Sequence, residues 1–145
     1  MAVCSYEVTA HSTAPPERVF ELLGDATSWP QWAGFLTTHG SWECEGTPAP
    51  GGVGAIRKLG RWPMFGREEI VAYEPPTHLA YTIVRGQPVR NYRADVTLTR
   101  DGNGTVISWA GTFDPLLPGT GMVLTVFFRR IITRFANGLA DYAAT

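Results

Sequence analysis

With two cysteines and three histidines in 145 residues, the chain has little to offer metal or thiol chemistry. Cys4 and Cys44 stand in separate segments with no CxxC spacing, which predicts free, buried thiols rather than a redox or metal motif. His11, His39 and His78 are scattered without ligand spacing or a neighbouring nucleophile motif, so zinc and triad chemistry are both excluded. Charge is scarce and nearly balanced, 12 Lys and Arg against 13 Asp and Glu. A net charge of -1 offers no basic footprint for nucleic acid and no general pull toward anionic lipid. No apolar run approaches the roughly 20 residues needed to span a bilayer, so membrane insertion is not expected. "MAVCSYEVTA" lacks the charged and apolar regions of a secretory signal, which predicts a cytoplasmic protein. "GGVGAIRKLG" lacks the GK[ST] ending and the strand-to-helix change of a phosphate loop. Asn103 begins an NGT sequon, but "RDGNG" reads as hairpin turn chemistry.

Hydrophobic residues, by contrast, make up 44% of the chain, enough for one domain over residues 1–145 with a real core. Cys4, Tyr6, Val8 and Ala10 alternate with Ser5, Glu7 and Thr9, which is strand periodicity. The period then changes. "APPERVFELLGD" puts proline in a first helical turn and Val19, Phe20 and Leu23 on one stripe, and Gly24 ends it. Ser28 is placed to cap a second short helix in which Trp29 and Trp32 point the same way. From Phe35 to Phe113, strands are punctuated by "GTPAPGG", "GRWPMFG", "EPPT", "RGQP" and "RDGNG", giving six more strands. Leu124, Phe128, Ile131, Phe135, Gly138 and Tyr142 form the stripe of a long final helix, with "FFRR" read as core face plus solvated face. The predicted architecture is α+β: a seven-stranded curved antiparallel sheet wrapped around a long C-terminal helix, with two short helices between strands 1 and 2. Such a grip encloses a cavity, because a strongly curved sheet cannot lie flush on one helix.

"APPERVFELLGDATSWPQW", followed by "GVGAIRKL", "EEIVAYEPPTHLAYTIV", "YRADVTLT" and "GTVISWAGTF", resembles the START-like polyketide cyclase/dehydrase and lipid transport superfamily (SRPBCC). The resemblance covers nearly the whole chain and implies the helix-grip fold. It implies function only broadly, since the superfamily includes cyclases, lipid carriers, hormone receptors and dehydratases. A cyclase of this kind would need no metal or cofactor. None of the superfamily's catalytic residues aligns by motif with a position here.

Hairpin parity predicts which residues face the cavity. A symmetric turn over Gly60 to Gly66 pairs Lys58 with Glu68 and Ile56 with Ile70. "EPPT" as a two-residue connection pairs Ile70 with Tyr81 and Ala72 with Leu79. The later turns set Ile83 opposite Tyr92, Ala94 opposite Gly111 and Val96 opposite Trp109. The inner face then carries Lys58, Glu68, Ile70, Tyr81, Ile83, Arg90, Tyr92, Ala94, Trp109, Gly111 and Phe113, opposed by Phe128, Ile131 and Phe135 on the final helix. Ala94 and Gly111 are small, so the empty volume is expected beside them, with Tyr81 projecting into it.

Each candidate has two readings. Tyr81 and Tyr92 either donate to a ligand or are core aromatics. Glu68 is either a proton acceptor or half of an ion pair with Lys58. Arg90 meets a polar head or faces out at the rim; Trp109 lines the cavity or fills core. Trp29 and Trp32 seal the short helices against the grip, or one of them touches ligand. The first functional expectation is binding or carrying of a small hydrophobic ligand (lipid, fatty acyl or polyketide-like) by a monomer or homodimer. The alternatives are a cofactor-independent aromatase/cyclase or dehydratase using Tyr81, Tyr92, Arg90 and Glu68, and an interaction protein with a vestigial cavity.

Overall fold

The alternation in the first strand persists in three dimensions: Tyr6, Val8 and Ala10 are buried while Ser5, Glu7 and Thr9 are exposed. In the computed structural model, which describes residues 3–145, this strand is β1 (Cys4–Ser12). It is followed by α1 (Pro16–Leu23) and a short 3₁₀ helix (Ala26–Gln31). The strands β2 (His39–Cys44), β3 (Ile56–Arg61), β4 (Met64–Glu74), β5 (His78–Arg85), β6 (Val89–Asp101) and β7 (Gly104–Pro115) come next, and α2 (Gly121–Ala143) closes the chain. All seven strands form one antiparallel sheet in the order β1-β7-β6-β5-β4-β3-β2. This is the expected α+β helix-grip, with α2 closest to β1 and β7.

Local chemistry sets the short helices. Pro16 lies in the first turn of α1, where a missing N–H costs nothing, and Val19, Phe20 and Leu23 are buried along one stripe. The second helix differs from expectation at its cap. Asp25 provides it, its Oδ1 accepting from Thr27 N at 2.9 Å. Ser28 instead lies inside the turn, donating to Leu22 O at 2.6 Å and accepting from Trp32 Nε1 at 3.1 Å. Pro30, with no N–H to donate, stands within this helix, which is of the tighter 3₁₀ type. The Trp29 and Trp32 rings are 4.4 Å apart, and both are buried.

Strand pairing follows the parity reading over most of the sheet. Tyr81 pairs with Ala94, Ala94 with Gly111, and Val96 with Trp109. Ile70 pairs with Tyr81 as expected, but a bulge before Ala72 sets it opposite Ala80 rather than Leu79. The cause is the turn: Glu74 pairs with His78, so the "EPPT" connection has three residues, and the bulge absorbs the extra one. Cys4 is half-buried and Cys44 exposed, both free thiols; Cys44 leaves the expected buried position because it ends β2 near the open edge of the sheet.

The face that α2 turns to the core is Phe128, Ile132, Ala136, Leu139, Ala140 and Ala143. The predicted stripe lies along one edge of this face, so Ile131 and Phe135 are only half-buried. Small residues let the helix approach closely. Ser12 Oγ donates to Ala140 O at 2.7 Å, and a Cβ on Gly138 would run into the carbonyl oxygen of Trp32. Gly138→Ala therefore sets two effects against each other. Helix propensity favours alanine by about 1 kcal/mol, whereas overpacking against fixed backbone costs ~1–3 kcal/mol. Chemical denaturation should show net destabilisation.

Candidate functional site

The β3–β4 hairpin decides which charge faces inward. Its strands pair as far as Arg61 with Met64, leaving only Trp62 and Pro63 in the turn. The expected turn from Gly60 to Gly66 is thus shorter by several residues, and β3 slides by one position against β4. Arg57, not Lys58, lies opposite Glu68, and Ile56 lies opposite Glu69. Because side chains alternate, the slip turns Lys58 and Ile56 to the outer face and brings Arg57 and Leu59 in. Lys58 pairs with Arg67 in register, and its Nζ sits 4.4 Å from the centre of the Phe65 ring. The Lys58–Glu68 ion pair is replaced by Arg57–Glu68.

Arg57 is fully buried. Its guanidinium lies over the rings of Trp29 and Tyr81, 4.6 and 4.8 Å from their centres. Nε donates to Glu68 Oε1 at 2.9 Å, Nη2 lies 2.8 Å from the same oxygen, and Nη1 donates to Leu23 O at 3.3 Å. Nε and Nη1 are thus hydrogen-bonded, whereas Nη2 is in ion-pair contact with Glu68 but makes no hydrogen bond of its own. Glu68 is held less completely, since only Oε1 bonds to Arg57. Burial raises the Glu68 carboxyl above the usual range, and Arg57 opposes that rise.

Beside this pair lies a cavity of about 190 Å³. Its wall comprises Glu68, Tyr81, Ile83 and Tyr92 from the sheet and Phe127, Phe128, Ile131, Ile132 and Phe135 from α2, with Trp29, Leu36, Thr37, Leu59, Gly60, Met64, Gly66 and Gln87 completing it. Of the residues singled out from sequence, Glu68, Tyr81, Ile83, Tyr92, Phe128, Ile131 and Phe135 meet here. Ile70, Ala94, Trp109, Gly111 and Phe113 face inward but form packed core behind the wall. Tyr6 explains that displacement. It pairs with Gly111, and its ring occupies the place a Cβ would take, so the space predicted beside Ala94 and Gly111 is filled from β1. Arg90 is exposed; an irregularity between Arg90 and Arg93, with Asn91 at φ 53°, breaks the parity count there.

The buried phenols form a network. Tyr6 and Tyr92 share a hydrogen bond, and Trp109 Nε1 donates to the Tyr81 hydroxyl at 3.2 Å. Burial lifts all three phenols above their ordinary range, so they act as neutral donors and not as bases. Trp29 lines the cavity while Trp32 only backs it. "FFRR" divides unexpectedly: Phe128 is core, but Phe127 is 43% exposed at the cavity mouth. Met64 is exposed at the same mouth.

Sequence reading missed Arg57, Leu59 and Tyr6. The first two were hidden by the hairpin register, and Tyr6 by its distance along the chain from the strands it meets. Replacing one partner of a buried pair strands the other charge. Arg57→Met should cost ~3–5 kcal/mol, and the double variant Arg57→Met/Glu68→Leu should recover most of it. Urea denaturation of the three proteins measures the difference.

The family model for polyketide cyclase/dehydrase and lipid transport matches residues 3–144. An uncharacterised protein of Mycobacterium tuberculosis is 28% identical over 134 residues, which cover 88% of this chain and 77% of that protein. Among solved structures, XoxI of Bacillus cereus is similar with a TM-score of 0.77 at 19% identity, over 96% of this chain and 94% of its own. Ara h 8.0201 gives 0.72 at 20% identity, over 98% of each chain. At such identities the two structures speak to the fold alone. The model match along the chain and the helix-grip built here agree: this protein belongs to the polyketide cyclase/dehydrase and lipid transport family, with a START-like fold.

Proposed function

We propose that this protein binds a small hydrophobic molecule in the cavity between sheet and α2. The observation that carries the reading is the cavity's wall: six aromatic rings, several aliphatic side chains and a few polar groups. That is the composition of a site for an apolar ligand whose orientation is set by one or two hydrogen bonds. Size narrows the choice. An apolar cavity of about 150 Å³ admits benzene, so about 190 Å³ seats a ring or a short chain segment. A longer lipid, fatty acyl chain or polyketide would leave its remainder at the mouth beside Met64 and Phe127.

A second reading, cofactor-independent cyclisation or dehydration, is favoured by one feature. Glu68 offers a carboxyl of raised affinity for its proton, next to the neutral donor Tyr81. A group of this kind can move protons during aldol closure. Binding remains the better-supported reading, because the cavity does not enclose a chain long enough to fold on itself.

Gly66 supplies the test. It lines the cavity, and the nearest atom to a Cβ there is Gln87 Nε2 at 3.8 Å, so Gly66→Leu fills the space with little strain. Native mass spectrometry before and after organic extraction, with thermal shifts against small aromatics and medium-chain lipids, should show binding to the wild type. Gly66→Leu should fold normally and lose the shifts at least tenfold in ligand concentration. If neither copurifying mass nor any thermal shift is found for the wild type, binding is refuted. Turnover of a candidate polyketide that survives both Glu68→Gln and Tyr81→Phe would remove the catalytic reading.

A further inference from the structure

We infer that the cavity selects a neutral, ring-sized molecule whose hydroxyl group donates to Glu68, and that it rejects anions. The inference rests on the binding reading above and names the ligand class of the same site. Glu68 is the one charged residue in the cavity wall among the described residues. The cation that would welcome a carboxylate is withheld from it: Arg57 is fully buried and does not line the cavity, with the Trp29 and Tyr81 rings over it and Nε and Nη1 bonded to Glu68 Oε1 and Leu23 O. Lys58 faces outward and Arg90 is exposed, so neither brings positive charge to the wall. An anionic ligand would meet the carboxylate end of the Arg57–Glu68 pair, with no free cation to replace its lost hydration in a poorly solvated space.

The other polar side chains of the wall, Thr37, Tyr81, Gln87 and Tyr92, are neutral, which leaves Glu68 as the strongest acceptor. Glu68 Oε2 makes no hydrogen bond among the described residues and accepts; the Tyr81 hydroxyl accepts from Trp109 and lies next to the Tyr6 phenol. A ligand hydroxyl supplies the proton that Glu68 Oε2 can accept. A ketone or ether can only accept, and a carboxylate cannot donate. A cationic ligand is disfavoured for a different reason. Arg57 already neutralises Glu68 and occupies the faces of Trp29 and Tyr81 that an ammonium would use.

Four ligands of one shape separate these possibilities: naphthalene, 2-naphthol, naphthalene-2-sulfonate and 2-naphthylmethylammonium, titrated calorimetrically into the purified wild-type protein. 2-Naphthol should bind about tenfold more tightly than naphthalene, the gain expected of a hydrogen bond to a charged acceptor, and the sulfonate should bind more weakly than naphthalene. In Arg57→Met/Glu68→Leu, which removes both charges together, 2-naphthol should lose its advantage over naphthalene. Sulfonate binding as tight as that of 2-naphthol, or ammonium binding the tightest of the four, overturns the inference but leaves hydrophobic binding standing. Equal affinity for naphthalene and 2-naphthol overturns it as well. If none of the four binds and no ligand copurifies with the wild type, the binding reading itself falls.

Discussion

A guanidinium removed from water must find counter-charge and hydrogen-bond acceptors within its own reach, and in this protein that constraint falls on Arg57. Meeting it enlists four separate parts of the chain. β4 contributes the Glu68 carboxylate, the end of α1 the Leu23 carbonyl, the 3₁₀ helix the face of Trp29, and β5 the face of Tyr81. Those groups lie far apart in sequence and can surround the cation only if β3, the short helices and the middle of the sheet are all in place. The pair therefore joins fold and site: the same contacts that hold the short helices to the sheet leave Glu68 at the cavity wall.

The cavity's position follows from what fills the rest of the grip. Near β1 and β7, α2 comes close to the sheet through small residues such as Ala136 and Ala140. Tyr6 fills the gap opposite Gly111 there, and the rings of Tyr6, Tyr92, Phe113 and Phe128 pack at centroid distances of 5.2 to 6.3 Å. Toward β3 and β4 the sheet curves away, and the side chains that reach across are those of Glu68, Leu59 and Ile83, with Phe135 and Ile131 from the helix. Packing density is thus uneven by construction, tight on one side of α2 and open on the other. The family's breadth of function sits comfortably with this arrangement, since changes in the open half need not disturb the tight one.

Much of this was legible in the sequence because hydrophobic periodicity and turn residues act locally. The seven strands, the order of elements and the pairing of Val96 with Trp109 all follow from counting along single hairpins. Counting failed where backbone geometry consumed a residue that composition cannot reveal. "GRWPMFG" looks like a long turn, yet its glycines are within the paired strands and only Trp62 and Pro63 turn. "EPPT" hides a bulge, and the positive φ of Asn91 disturbs the parity of Arg90. Tyr6 was misjudged for another reason: its role depends on a neighbour more than a hundred residues away, and no local pattern announces that Gly111 leaves room for it.

The two-residue tip at Trp62 and Pro63 has a consequence for how this protein can diverge. If the tip kept its two-residue form, one residue inserted there would bring Lys58 opposite Glu68 in place of Arg57 without altering any coding triplet outside the tip. Lysine presents a compact ammonium in place of a flat ion that two rings can enclose. Such a change would abandon the stacked arrangement and free the carboxylate for other partners. Among descendants of this sequence, the length of one short connection would accordingly govern cavity chemistry as strongly as any substitution within the wall.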